Sequence, residues 1–368
     1  MAASDIGLGI IGLSPEASWA GRAHVPALQV VSGYEIRALA TSRPETAAQA
    51  AEIYGVPLYF HDPAELVARP EVDLVVVAVR VPYHLGLVKM ALEAGKMVYC
   101  EWPLGNGLAE AEEMAALAES KIIPSFVGLQ GRSSPAIRYI RDLVASDRIG
   151  DVISSTLVAS AGAWGATIEP RLVYGLDRKN GVSMLTVQFG HTMDSFCWCL
   201  GEFRELSATL ATRYPLVKRT DTGEKIEKTI ADQIAVTGIL DNGAVAAVHY
   251  RSGTSQAANF FWEINGSKGD LVITSSSGRL QYADLRIQGT SRTTGHLENL
   301  PVPDNYKLVP EASPSDIYYT LAHAYSLMRC DIKLGTANIP TFADAVVRHR
   351  MIEAIERASE TGARQSYR

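Results

Sequence analysis

Over its first 130 residues the chain alternates short apolar runs with segments of helical spacing, and this alternation constrains the fold more than any other feature. Residues 6–13 form an apolar run that ends in glycine and serine. Residues 19–31 keep helical spacing despite Pro26, 34–41 read as a second strand, and 44–54 as a helix with proline in its first turn. The run 74–79 follows Asp73 and is continuously apolar, as expected of a parallel strand buried on both faces. A helix over 84–94 stops at Gly95, and a strand at 97–100, a helix at 108–120 and a strand at 124–129 complete the series. Strand–helix alternation of this kind predicts a doubly wound parallel sheet with right-handed crossovers, an α/β Rossmann domain over residues 1–130.

The pattern then changes. Residues 135–145 are helical, 152–163 β-rich, 182–200 helical, and 203–288 mostly strands. Asp241-Asn242-Gly243 supplies the positive-φ residues of a hairpin turn, and a second turn spans 265–270. Residues 289–310 read as a polar loop, and helices over 314–328 and 342–359 follow. Residues 131–368 are therefore expected to form an α+β domain with a large, mainly antiparallel sheet. Alternating Ala244, Ala246 and Val248, with Tyr250 after them, suggest a sheet face that packs on a helix or on another subunit.

Composition excludes several classes. A net charge of -6 gives no basic face for nucleic acid, and no apolar run is long enough to cross a bilayer. Residues 1–5 lack a basic leader and enter a strand directly, so a signal peptide is not expected and a cytoplasmic location is. The four cysteines read as free thiols, and Cys197-Trp198-Cys199 has the wrong spacing for a metal pair; no metal site is expected.

The first strand–helix turn carries Gly12, Leu13 and Ser14, followed by extra residues and Trp19. Gly12 fits the tight turn of a dinucleotide fingerprint, while Ser14 stands where a second glycine would let backbone approach the pyrophosphate. A serine hydroxyl and backbone N–H groups at a helix start still suit phosphate. At the end of the second strand, where a site for NAD places an acid on the ribose, the chain has Thr41, Ser42 and Arg43. Ser42 can hydrogen-bond and Arg43 can clamp a 2′-phosphate, so NADP is expected over NAD; the alternative is a solvated Arg43.

The strand at 97–100 runs into Glu101-Trp102-Pro103-Leu104. A short strand ending in Glu-x-Pro behind a nucleotide-binding half resembles the Glu-Lys-Pro signature of the glucose–fructose oxidoreductase / inositol dehydrogenase / rhizopine-catabolism (Gfo/Idh/MocA) family. In that family the lysine handles the substrate proton beside the nicotinamide. Here the position is Trp102, whose indole N–H donates but does not titrate. Arg80-Val81-Pro82-Tyr83-His84 resembles the family turn that lies along the cofactor, with His84 as a pocket wall. The resemblance implies cofactor contacts from Gly12, Leu13, Ser14, Trp19, Ser42, Arg43, Val79, Val81, His84, Glu101, Trp102 and Gln130.

Gly190-His191-Thr192-Met193-Asp194 resembles the family's Asp-x-Gly-x-His-x-x-Asp helix, with Val187 at the first acidic position. The resemblance leaves His191 to exchange a proton near neutral pH, and Asp194 to anchor the helix or orient His191. Arg132 either positions a hydroxylated ligand or braces the chain locally. Trp102, Trp164 and Tyr174 offer aromatic faces to a substrate, or simply pack. Gly-Leu-Ser, Glu-Trp, residues 129–135 and residues 189–194 are together similar to one branch of the family, the fungal galactose-pathway repressors. Two functions follow. One is an NADP-dependent oxidoreductase acting on a sugar or other polyhydroxylated substrate. The alternative is a dinucleotide-binding regulator without turnover. Family members pair through the second-domain sheet, so a homodimer or homotetramer is expected.

Overall fold

The computed structural model describes residues 5–16, 18–282, 284–290 and 295–368. The readings that fell on residues 1–4, on Ala17 in the first turn, and on 291–294 in the polar loop lie outside them. The chain divides into two compact units, and the division is not a single cut after residue 130. One unit runs to Ser133 and resumes over Leu308–Val346; the other comprises Ser134–Lys307 and Val347–Arg368.

In the first unit, strands β1 (Ile6–Ile11), β2 (Tyr34–Ala40), β3 (Leu58–Phe60), β4 (Leu74–Val77), β5 (Met97–Cys100) and β6 (Ser125–Val127) form one sheet in the order β3-β2-β1-β4-β5-β6. Every pairing is parallel. This is the dinucleotide-fold order, with its switch point between β1 and β4. β1 and β4 are buried along their whole length, which explains their unbroken apolar sequence. β3 escaped the sequence reading because it is a three-residue edge strand.

The helices of this unit are α1 (Val25–Gln29), α2 (Pro44–Tyr54), α3 (Pro63–Val67), α4 (His84–Glu93) and α5 (Leu108–Lys121). α1 is entered through a π-helical turn, Ala20–His24, in which Val25 N–H reaches back to the Ala20 carbonyl. The wider turn delivers the chain to Pro26, whose missing N–H is harmless at a helix start. α2 ends at Gly55 in the left-handed conformation, as a helix stop requires. Far along the chain, α8 (Tyr319–Leu334) adds Tyr319, Leu321, Tyr325 and Met328 to the same apolar cluster as Ile6, Leu8, Leu39 and Tyr99. α8 starts five residues later than its spacing predicts. Ser313, Pro314 and Asp316 instead form a local turn, with Ser313 N–H donating to the Asp316 carboxylate at 2.8 Å.

In the second unit, eight strands form a sheet in the order β17-β16-β15-β14-β7-β13-β12-β9. They are β7 (Val152–Ser160), β9 (Phe203–Ala211), β12 (Gln233–Leu240), β13 (Val245–Arg251), β14 (Phe260–Gly266), β15 (Asp270–Ser275), β16 (Arg286–Gly289) and β17 (Glu298–Asn299). Only β13 and β7 pair in parallel; the rest are antiparallel, as the sequence suggested. A separate small sheet joins β8 (Thr167–Ile168), β10 (Leu216–Arg219) and β11 (Lys225–Glu227). Within the predicted polar loop, β17 and a 3-10 turn at Asp304–Tyr306 are ordered elements. Gly243 closes the β12–β13 hairpin at φ 89°.

Helices α6 (Pro135–Ala145), α7 (Gly190–Leu200) and α9 (Phe342–Thr361) complete the set, and α9 carries the chain from the first unit into the second. The predicted helix over 182–200 opens as a π-helical turn, Leu185–Phe189, and becomes α-helical at Gly190. Ala244, Ala246, Val248 and Tyr250 face inward and are buried, with Tyr250 edge-on to Phe189. They belong to this unit's own core and are not the face open to another subunit. All four cysteines are free; Cys330 is only partly buried.

Candidate functional site

In the first unit a cavity of about 990 Å³ opens at the carboxyl edge of the parallel sheet. Its walls come from the three loops that follow β1, β2 and β4, where ligands of this fold bind. Gly12, Ser14, Pro15 and Glu16 contribute from the first; Thr41, Ser42, Arg43 and Thr46 from the second. Val79, Arg80, Pro82, Tyr83 and the α4 residues Leu87 and Met90 come from the third, and His61 and Pro63 complete the lining.

Gly12 has φ 102°, and a Cβ there would lie 2.5 Å from the Ala78 carbonyl oxygen. No other residue fits that position, so the backbone forms the floor of the cavity. The Ser14 carbonyl accepts from the hydroxyls of Ser18 at 3.4 Å and Tyr54 at 3.3 Å. Arg43 is exposed at the start of α2 and its guanidinium has no ion pair among the described residues. Its carbonyl accepts from the hydroxyls of Thr41 (3.1 Å) and Thr46 (2.9 Å), so the backbone below the side chain is held. A glycine floor, hydroxyls and cations around one cavity are the donor set a phosphorylated nucleoside needs, and these residues fit the adenosine half of a dinucleotide.

Of the predicted cofactor residues, Gly12, Ser14, Ser42, Arg43 and Val79 line this cavity. Leu13 points into the apolar core, and Val81 is buried behind the wall. Trp19 packs half-buried against the same core. His84 is not wall but fastening: Nε2 lies 3.1 Å from the Val79 carbonyl, and Nδ1 lies 3.0 Å from that of Pro103 and 3.3 Å from the Cys100 thiol. It ties the loop after β4 to the loop after β5. Burial holds its imidazole below the usual range, hence neutral. Trp102 is buried, with a cis peptide to Pro103, and Gln130 opens the 3-10 turn Gln130–Ser133, its side-chain oxygen unbonded among the described residues.

Glu101 follows β5 and bonds a residue the sequence did not flag. Its Oε1 lies 3.0 Å from Nε2 of His24, whose Nδ1 lies 2.7 Å from the Tyr325 hydroxyl. His24 and Tyr325 are fully buried. The available signal was a lone histidine among Ala20, Ala23, Val25 and Ala27 on a core-facing helix, but its partners lie 77 and 301 residues away. Arg132 pairs with Asp344 at 2.8 Å, and the same carboxylate accepts from Thr341 N–H at 2.8 Å. Arg132 therefore braces the start of α9. Burial alone would raise the Asp344 carboxyl, yet Arg132 and the Thr341 bonds hold it below the ordinary range.

The second unit holds the remaining candidates. His191, the second residue of α7, is 5% exposed. Its Nδ1 has no hydrogen-bond partner among the described residues, and burial pushes its pKa down to about 3. It is a neutral base with an uncommitted ring nitrogen. Asp194 faces Arg348 Nε at 3.6 Å. Arg348 is itself clamped by Glu202 at 2.6 Å, and Glu202 accepts from Tyr367 at 2.7 Å. Trp164 is 2% exposed, packs against Gly175, and has φ 66°. Its carbonyl accepts from the buried Lys228, 3.1 Å away, which also pairs with Asp232 at 2.7 Å. Tyr174 is half-buried, and its carbonyl accepts from Asn180 at 2.6 Å.

Comparisons with known proteins match two parts of the chain separately. The pattern of the oxidoreductase family with an NAD-binding Rossmann fold (GFO_IDH_MocA) matches residues 6–129, and that of the Gal80p C-terminal domain matches 135–275. The dehydrogenase aclE of Aspergillus oryzae is 29% identical over 379 residues, covering 99% of this chain and 98% of its own. The crystal structure of the transcriptional regulator Gal80p from Kluyveromyces lactis superposes with a TM-score of 0.87 at 25% identity, covering 99% of this chain and 91% of that one. A levoglucosan dehydrogenase solved with NADH and levoglucosan has a TM-score of 0.84 at 21% identity, covering 99% and 100%, and shares the fold.

Proposed function

Because the chain belongs to the Gfo/Idh/MocA oxidoreductase family and carries a Gal80-like second unit, we propose that it is an NADP-dependent oxidoreductase acting on a sugar or another polyhydroxylated alcohol. A bound nicotinamide supplies the hydride chemistry, and the protein binds, orients and moves the proton. The observation that carries the reading is the cavity wall after β2: no acid stands at Thr41-Ser42-Arg43, and an exposed, unpaired guanidinium does. Arg43 and Ser42 hold a 2′-phosphate; Gly12 and Ser14 take the diphosphate on backbone and hydroxyl. Glu101, Trp102 and Gln130 serve the nicotinamide half, with Trp102 as an aromatic surface.

His191 exchanges the substrate proton. Burial keeps its imidazole neutral in the physiological range, and its Nδ1, without a partner among the described residues, is the atom that would bond a substrate hydroxyl. Within the second unit Trp164, Tyr174 and His191 serve the substrate, while Arg132 and Asp194 act through the ion pairs that fix their own elements. The protein works as a homodimer or homotetramer through the outward face of the large sheet, on which Val245 is 57% exposed; a monomeric mass by light scattering contradicts this. Its setting is the cytoplasm. Among the described residues no helix is long and apolar enough to cross a membrane.

The test is a screen of aldoses, ketoses, inositols and glycosides with NADP, following absorbance of the reduced cofactor. Turnover on one class, lowered about 100-fold or more by His191→Ala with dinucleotide affinity kept, supports the reading. Full activity in that variant removes His191 as the acid/base. A second reading, a dinucleotide-binding regulator without turnover, is favoured by Trp102 at a position that cannot titrate and by the likeness to Gal80p. Tight dinucleotide binding with no turnover across the panel selects it.

A further inference from the structure

Glu101 stands just past the end of β5, at the carboxyl edge of the sheet, with its backbone N–H bonded to the Val77 carbonyl of β4 at 3.1 Å. A carboxylate offers about four acceptor sites on its two oxygens. One oxygen, Oε1, is taken by His24 at 3.0 Å; the other has no partner among the described residues, and the side chain keeps 13% exposure. Gly128 packs on the carboxyl group, since a Cβ there would stand 3.2 Å from its carbon. Glu101 is therefore held from behind and open in front.

The hold is directional. With Glu101 ionised and His24 neutral, Nε2 carries the proton toward the carboxylate and Nδ1 presents a lone pair, which the Tyr325 hydroxyl fills at 2.7 Å. Tyr325 O–H donates to His24, and His24 N–H donates to Glu101. Edge contacts fix the imidazole plane, with Tyr99 at 5.7 Å and Tyr325 at 5.9 Å between centroids. Tyr325 is placed in turn by Tyr34, whose hydroxyl donates to its carbonyl at 2.9 Å. His24 and Tyr325 are fully buried, so behind Glu101 the chain of bonds ends on a buried hydroxyl. It orients.

We propose that His24 and Tyr325 are positioning residues that aim the second oxygen of Glu101 at a hydroxyl or amide donor in the nicotinamide half of the bound dinucleotide. The proposal rests on the dinucleotide reading above and adds to it the residues that set the acceptor.

The experiment is a calorimetric titration of the full chain with NADH, NADPH and ADP, the last lacking the nicotinamide nucleoside. His24→Ala weakens both reduced dinucleotides about tenfold and leaves ADP within twofold. His24→Gln restores an N–H toward Glu101 and recovers affinity to within about threefold of wild type. Tyr325→Phe keeps the ring and loses only the hydroxyl, and weakens NADH about threefold; it serves should His24→Ala fail to fold. In a Glu101→Gln background, His24→Ala has no further effect on NADH. Equal weakening of ADP and NADH, unchanged NADH affinity in both His24→Ala and Tyr325→Phe, or additive effects in the double variant overturn the positioning role alone. A wild-type chain that binds ADP but neither reduced dinucleotide overturns the functional reading, and the positioning role with it.

Discussion

The two units each bury a histidine beside a π-helical turn, and they treat it in opposite ways. His24 ends the turn Ala20–His24 in the first unit, and both its ring nitrogens are bonded. His191 follows the turn Leu185–Phe189 in the second, and its Nδ1 has no partner among the described residues. Burial is almost the same, 0% against 5% exposed. The difference teaches that burial does not assign a role; partners do. A ring bonded at both nitrogens is committed to holding its neighbours, while a ring buried with a nitrogen uncommitted carries an unmet bond that only a ligand or water can fill.

The largest expected effect tests what holds the second histidine's helix. Arg348→Met leaves the Glu202 and Asp194 carboxylates buried without their cation, and stability falls by about 3–5 kcal/mol in urea denaturation. A loss below 1 kcal/mol shows that α7 is held by something else. His24→Ala comes next: the Tyr325 hydroxyl and Glu101 lose their partner, costing about 3 kcal/mol, the upper end for such groups. His191→Gln at pH 8 costs less, because no bond at Nδ1 is broken; a larger loss than for His24→Ala inverts the comparison.

Acid separates the pair further. The folded pKa of His191 is about 3, below its unfolded value, so the folded state binds fewer protons. That depression contributes stability that is complete above about pH 6.5 and is lost as pH falls toward 3. At pH 5 the loss from His191 is about 2 kcal/mol, and His191→Gln abolishes it, leaving a nearly equal share from His349, whose pKa burial lowers to about 4, and a further one from His84, which burial also lowers. Identical pH slopes in wild type and variant count against a protonation penalty at His191. The smallest effect concerns the cavity: Arg43→Ala weakens NADP about tenfold, or about 1.4 kcal/mol, and leaves NAD unchanged in a fluorescence titration. Equal weakening of both makes Arg43 a general phosphate contact.

The parallel sheet was legible because β1 and β4 are buried on both faces and so read as continuous apolar runs. Gly12 was legible for a related reason, since a tight turn at positive φ admits little else. The roles of His24 and Arg132 were not, because each is set by partners far along the chain, Tyr325 and Asp344. Local spacing cannot report such pairs. His84 was placed in the right loop but on the wrong side of it: position in a motif fixes where the backbone runs, not where a side chain packs.

The first unit is discontinuous, and this bears on the order in which the chain can mature during synthesis. All six parallel strands have been made by Val127, yet Tyr319, Leu321, Tyr325 and Met328, which belong to the cluster of Ile6, Leu8 and Tyr99, are made almost two hundred residues later. Until then the nascent sheet has an uncovered apolar flank, the kind of surface on which incomplete chains aggregate. A fragment cut after residue 130 inherits that flank permanently. A fragment that is to stand alone must carry residues 308–346 as well, joined to the first 133 by a short linker.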